Sequence, residues 1–315
     1  MALGHALQEL ALRKRHLHGL GVLRVIAGSA IVYEYLHVYS QRGYLFGPNG
    51  VSPNDYASLS LYGLVSERWQ FEALYHMGAL VTLVWTIGVS TRWLTPLTVA
   101  FWWSLQRTNP GIWDGGDNLM HLVLVYCCFA DVGQRWSIVP RTGSAVNDGS
   151  LSARLATLTH NSAVLAIALQ LSVLYTVAGT TKMAGESWRN GTALYYALRP
   201  AEFYLPGVSE GLWSSRELLT VAAYGTMYVQ AAFPLLLFLN KYSRRVVIVL
   251  MVGFHLGIIA VMGLITFGLF MIAVDLSLVT DREYQSMGNW LRHMLVRTSW
   301  AASADKQSME RSMLK

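Results

Sequence analysis

The sequence predicts an all-α, polytopic bundle of about eight membrane spans with both termini in the cytoplasm. Three observations carry this. The chain is 53% hydrophobic and only 13% charged, where soluble domains hold about 25% charged residues. Its apolar residues gather in runs close to the roughly 20 residues that cross a bilayer. Its lysines and arginines alternate between dense and sparse from one connection to the next, as the positive-inside bias requires.

Taken in order, residues 1–17 place Leu3, Ala6, Leu7, Leu10 and Ala11 at helical spacing ahead of Arg13-Lys14-Arg15. That pattern predicts a short amphipathic segment on the cytoplasmic surface. No small-residue cleavage site follows the basic cluster, so the first span is expected to serve as its own insertion signal. The spans fall at roughly 19–39, 71–91, 94–108, 117–132, 161–182, 217–239, 246–264 and 266–280. The third, fourth and eighth are short. Arg13–Arg15, Arg92, Arg135, Arg141, Arg154, Lys241, Arg244, Arg245 and Arg282 mark one side. The other side has fewer basic residues and is richer in acids. Eight spans agree with both termini on the basic, cytoplasmic side.

Two long connections, about 40–70 and 183–216, then face outward. Both are rich in Gly, Pro, Tyr and Trp, and long loops on a rigid frame are where sites are built. The 11 Trp and 16 Tyr suit interface belts. Residues 281–315 read as a cytoplasmic tail with an amphipathic piece at 290–296. The net charge of +6 is explained by the inner loops, so nucleic acid is not an expected partner. Cys127 and Cys128 are neighbours on a helix, about 100° apart, where a disulfide would be strained; they read as small buried apolar residues. His37, His76 and His121 show no ligand spacing, and no metal is expected.

Ionisable residues inside spans cost roughly 2.5–3.5 kcal/mol each and are functional by default. Lys182 ends the fifth span. It is either an anchor reaching the headgroups or a base at the membrane surface. His255 lies about 15 Å into its helix, either as a neutral hydrogen-bonding group or as a proton carrier. Asp117 opens the fourth span, as an N-cap or as a partner for Lys182. Arg24 and Glu34 share the first span about 15 Å apart and do not pair. Arg24, near the inner end, can snorkel. Glu34, in the outer half, faces the bundle. Asp275 reads as structural. An outward-facing cavity lined by Lys182, His255, Asp117 and Glu34 is the expected site.

At Lys182 the chain resembles a known family. Ala178-Gly-Thr-Thr-Lys-Met-Ala-Gly-Glu-Ser-Trp188 with Gly191-Thr-Ala is similar to the signature of the HTTM family, the membrane domain shared by vitamin K-dependent gamma-glutamyl carboxylase and many bacterial proteins. Arg24 with Glu34, Asn109–Asn118, Phe129-Ala-Asp131 with Trp136-Ser137, and Phe254-His255 follow in the family's order. The resemblance covers about residues 18–280. It implies a carboxylase-like enzyme if the chain is catalytic, with reduced vitamin K or menaquinol as cofactor. The cofactor would be deprotonated, react with dioxygen and abstract a glutamate γ-proton before carbon dioxide adds. Lys182 matches the family's catalytic lysine. His255 and Asp117 would position groups or relay protons, and Glu34, Trp188 and Tyr175 would contact the cofactor. Where the carboxylase has a histidine assigned to the chemistry, this chain reads Asp114-Gly-Gly-Asp-Asn118. Short bacterial members resemble a membrane component that matures a secreted toxin peptide with a small partner protein. The expected function is therefore modification or maturation of an exported peptide at the outer face of the cell membrane, among membrane lipids. The alternative is a non-catalytic chaperone, scaffold or immunity-type protein that binds a peptide or partner.

Overall fold

A computed structural model describes residues 13–51, 60–140, 150–203, 205–290 and 292–294. It is all-α, with no strand among the described residues. Eight helices form the frame: α1 (Leu17–His37), α2 (Arg68–Thr86), α3 (Thr91–Thr108), α4 (Gly115–Cys127), α5 (Leu151–Ala184), α6 (Arg216–Leu239), α7 (Lys241–Met262) and α8 (Ile265–Ser277). Each coincides with one of the expected apolar runs. α1, α5, α6 and α7 are long and apolar enough to cross a membrane. The other four are shorter or less apolar. The amphipathic segment expected before Arg13 and most of the tail lie outside the described residues.

The shortness of α8 has a packing explanation. Its 13 residues rise only about 20 Å, less than a bilayer core. Yet Phe270 to Asp275 is buried without a break, because α8 packs on α1, α4 and α7 at once. A helix sheltered by protein along most of its length does not need full membrane length. The left-handed Gly263 (φ 69°) ends α7 and lets the chain turn back into α8.

The basic end is tied together by the residues before α1. The Lys14 ammonium pairs with Asp131 at 2.7 Å. Arg15 N donates to Asn161 Oδ1 at 3.0 Å, and His160 Nε2 lies 2.8 Å from Arg15 O. His16 Nδ1 lies 3.2 Å from both Ser277 O and Val279 O. Burial lowers the His16 pKa, so this side chain binds as a neutral donor. The expected surface segment is thus pinned, from residue 14 on, to α5, to the loop after α4 and to the end of α8.

Arg24 departs from the expectation of snorkelling. It is fully buried. Its Nε donates to Thr86 O at 3.3 Å, and Nη1 donates to Val132 O at 2.8 Å and Ser137 Oγ at 2.5 Å. Its Nη2 donates to Trp136 O. Four uncharged oxygens, one at the end of α2 and three in the loop after α4, take the place of water. Cys128 also departs from expectation: Cys127 is buried but Cys128 is exposed, and neither is in a disulfide.

Residues 281–290 are helical and are anchored through Glu283. Its Oε1 accepts from Arg245 Nε at 2.6 Å and Arg244 Nη2 at 3.1 Å. Its Oε2 accepts from Thr280 N and Oγ1 at 2.9 and 2.6 Å. Burial alone would raise this carboxyl, but the bonds from Thr280, Arg245 and Arg244 outweigh it and hold the pKa at about 2. A depressed carboxylate contributes stability in full above its ordinary value, about 4.3. That contribution is lost as pH falls through about 2. Glu283→Gln should therefore melt below the wild type at pH 7. The gap should close in thermal melts run at progressively lower pH.

The α5–α6 seam is a close helix contact. A Cβ at Gly179 would come 2.4 Å from Ala231 N. Small residues at such crossings let membrane helices approach. Gly179→Val forces the helices apart and should cost about 1–3 kcal/mol, read as a lower melting temperature in detergent.

Candidate functional site

Three polar groups are built into this apolar frame. The first lies at the end opposite the basic loops, where a cavity of about 240 Å³ opens between the ends of α1 and α3, the start of α4 and the α7–α8 turn. Tyr33, Glu34, His37, Gln106, Asp117 and Leu264 are among its walls. Glu34 Oε2 accepts from Trp102 Nε1 at 2.9 Å and from Gln106 Nε2 at 3.2 Å. Both donors come from α3 and fix the Glu34 carboxyl at the cavity edge. As expected, Glu34 faces the bundle and is separate from Arg24.

Asp117 is placed by the first turn of α4. The N-cap of this helix is Asp114, not Asp117: Asp114 Oδ1 accepts from Gly116 N at 2.6 Å and Asp117 N at 3.0 Å. Asp117 Oδ2 reciprocates by accepting from Asp114 N at 3.0 Å. This capping box leaves Asp117 Oδ1 buried and without a hydrogen-bond partner among the described residues. Gln106 Oε1 is in the same condition. Glu34 and Asp117 are near enough to interact electrostatically.

One turn below Asp117, His121 is enclosed by Trp102, Trp103 and Trp113, with ring centroids 4.6, 4.7 and 5.1 Å away. Both its ring nitrogens are buried and unpartnered among the described residues. Sequence reasoning noted His121 but assigned it nothing. Its signal lies in three tryptophans that only the fold brings to one ring.

The second group joins three helices. Tyr175 Oη of α5 lies 2.9 Å from His255 Nε2 of α7, and 3.1 and 3.0 Å from the two carboxyl oxygens of Asp275 in α8. All three residues are buried. With the hydroxyl donating to Asp275, His255 donates its Nε2 proton to Tyr175. His255 Nδ1 is then a bare acceptor, and it has no partner among the described residues. Asp275, read as merely structural, is the group's acceptor. Phe267 of α8 adjoins both His255 and the start of α4. Its ring packs 5.6 Å from that of His255, and its other side crowds Gly116 at the start of α4.

The third group centres on Lys182. Its ammonium donates to Gln230 Oε1 at 2.9 Å and Ala178 O at 3.3 Å, and lies 5.3 Å from the centroid of the Trp188 ring. Lys182 stands two turns beyond Tyr175 on α5, so about 10 Å farther along the helix. The same seam carries both. Phe233 of α6 packs on Tyr175 with centroids 4.5 Å apart, and Gln230, one turn earlier on α6, meets Lys182. Trp188 thus stacks on the lysine, and Gln230 is a partner that the sequence did not suggest.

The expected site residues are therefore divided. Glu34 and Asp117 share the cavity. Tyr175 and His255 form the triad with Asp275. Lys182 and Trp188 sit at the mouth of the α5–α6 seam. No ion pair joins Lys182 to Asp117 among the described residues, and Lys182 and His255 lie outside the cavity walls. No cluster of three or more His, Cys, Asp or Glu suited to a metal occurs among the described residues.

The family model described as HTTM domain matches residues 12–282. The chain is 23% identical over 249 residues to "Uncharacterized protein YitO" of Bacillus subtilis (strain 168), covering 76% of this chain and 77% of that protein. No solved structure matches.

Proposed function

Since the chain belongs to the HTTM-domain family and is a membrane protein related to the gamma-carboxylase, we propose that it modifies or matures an exported peptide at the outer membrane face, using a reduced quinone. The observation that carries this reading is the cavity. Two carboxyls, Glu34 and Asp117, meet with the Gln106 amide at its walls. Carboxyl and amide groups lining a cavity in an otherwise apolar frame fit a ligand that brings hydroxyl donors. A hydroquinone is such a ligand, and it partitions into the bilayer.

When bound, the quinol would supply a removable hydroxyl proton and a pair of electrons. The chain's own residues divide the remaining work. Glu34, Asp117 and Gln106 line the cavity and would accept the hydroxyl hydrogen bonds. Trp102 Nε1 and Gln106 Nε2 hold Glu34 in one rotamer. Neighbouring carboxyls can pass one proton between them, so Glu34 and Asp117 can take a proton at the cavity wall. Lys182, at the seam mouth, would take a hydroxyl proton, since an amine is far too weak a base for a glutamate γ-proton. The triad of Tyr175, His255 and Asp275 stands at bilayer depth beneath it as a proton store.

Peptides exported with and without the chain, compared by mass spectrometry, test this. A carbon-dioxide increment on glutamate or a specific cleavage supports the reading. Glu34→Gln and Asp117→Asn should each lower that modification about 10²-fold or more while the chain remains in the membrane. A second reading, a non-catalytic chaperone, scaffold or immunity-type protein, is favoured by one observation. Lys182 is held by Gln230 and Trp188, as an anchor would be. On that reading no peptide mass changes, and Lys182→Arg keeps full binding.

A further inference from the structure

A second concavity lies at the opposite, basic end, on the outside of the bundle where α5, α6, α7 and the end of α8 meet. It measures about 250 Å³. Its deeper walls are Val164, Leu237 and Leu278, all buried, and its rims are Leu165 and Phe238, which are 49% and 56% exposed. Those rim residues belong to α5 and α6, two helices long and apolar enough to cross a membrane, so the groove is continuous with a surface that faces acyl chains.

The mouth is chemically different. Arg15 and Arg244 line it, and no carboxylate does among the described residues. Glu283, the nearest acid bound to this corner, is shared. Its Oε1 serves both Arg244 and Arg245, leaving one positive charge in excess for that trio. Asp131 is paired with Lys14, and Asp281 accepts from His18 N at 2.8 Å. His16, neutral by burial, adds a polar wall without charge. Arg244 Nε is buried and has no hydrogen-bond partner among the described residues. Two arginines at the mouth of an apolar trench are complementary to a ligand with an anionic head and a hydrocarbon tail.

We infer that this groove is a binding site for an anionic glycerophospholipid of the leaflet on the basic side, with its phosphate at Arg244 and Arg15 and an acyl chain against Leu165 and Phe238. Basic side chains at a membrane surface favour anionic over zwitterionic lipid, and the groove adds shape to that preference. The site is separate from the cavity at Glu34 and from Lys182, so it does not depend on the proposed function.

Native mass spectrometry tests it. The full chain is released from micelles doped with phosphatidylglycerol or with phosphatidylcholine, and retained lipid is counted. The wild type should retain phosphatidylglycerol in preference. Arg244→Gln should cut that retention about fivefold, while Arg245→Gln, at a half-exposed neighbour outside the groove, should not. Leu165→Trp, which fills the trench and leaves every charge in place, should reduce retention independently, so a misfolded Arg244→Gln would not end the test. Equal retention of the two lipids, or unchanged retention in both Arg244→Gln and Leu165→Trp, overturns the inference. Displacement of the adduct by millimolar inorganic phosphate overturns it in favour of a free anion. A dimer that both variants dissolve overturns it in favour of a second copy of the chain.

Discussion

Lys182→Ala is expected to lower peptide modification by about 10²–10⁴-fold, the usual contribution of a positioned acid or base. The fold should survive. Lys182 is only half-buried and its loss leaves one acceptor, Gln230 Oε1, without its donor. That costs about 1 kcal/mol, or a few degrees in melting temperature. Lys182→Arg sharpens the result. Arginine keeps the charge and can still stack on Trp188 and bond Gln230, but it cannot deprotonate near neutral pH. If the lysine is a base, both variants are inactive and both fold. If it is an anchor, the arginine variant works like the wild type. The mass of the exported peptide, measured with each variant, separates the two cases.

The largest stability effect is expected at Arg24. Its guanidinium serves three backbone carbonyls and the Ser137 hydroxyl. Arg24→Met keeps much of the stem but strands those oxygens in a dry interior. Each stranded acceptor costs about 1–3 kcal/mol, partly relieved by relaxation, so a total of about 3–5 kcal/mol is expected. Arg24→Lys should fall between, because an ammonium has three donors and no fork. Thermal melts of purified protein measure this, with membrane abundance as a second readout.

What the sequence made legible follows from what is local. A span is a run of apolar residues, so eight helices could be placed, and the opening of α4 could be read from Asp114-Gly-Gly-Asp117. Even there the cap fell to the wrong aspartate, because a capping box uses two acids and only geometry tells which is first. The family pattern pointed to Arg24, Glu34, Trp136 and His255 as separate marks. It did not say that Trp136 O would be a ligand of Arg24. Contacts between distant positions were not legible at all. Tyr175 and Asp275 are 100 residues apart, and nothing near either one announces the other. The snorkelling expected of Arg24 failed for the same reason. Its acceptors are carbonyls, which every residue carries and no sequence distinguishes.

The Arg24 contacts also set a clock for biogenesis. The first of the eight helices carries this guanidinium, but its partners lie 62 to 113 residues later in the chain. At about 5–20 residues per second, the ribosome needs roughly 6–20 s to deliver the last of them. Through that interval α1 holds a bare cation that the bilayer disfavours. The nascent helix should therefore linger at the insertion machinery, and it should be released only when the loop after α4 emerges. Translation halted before residues 132–137 have left the ribosome would leave α1 loosely inserted and open to extraction, whereas a halt after they have emerged would find it locked.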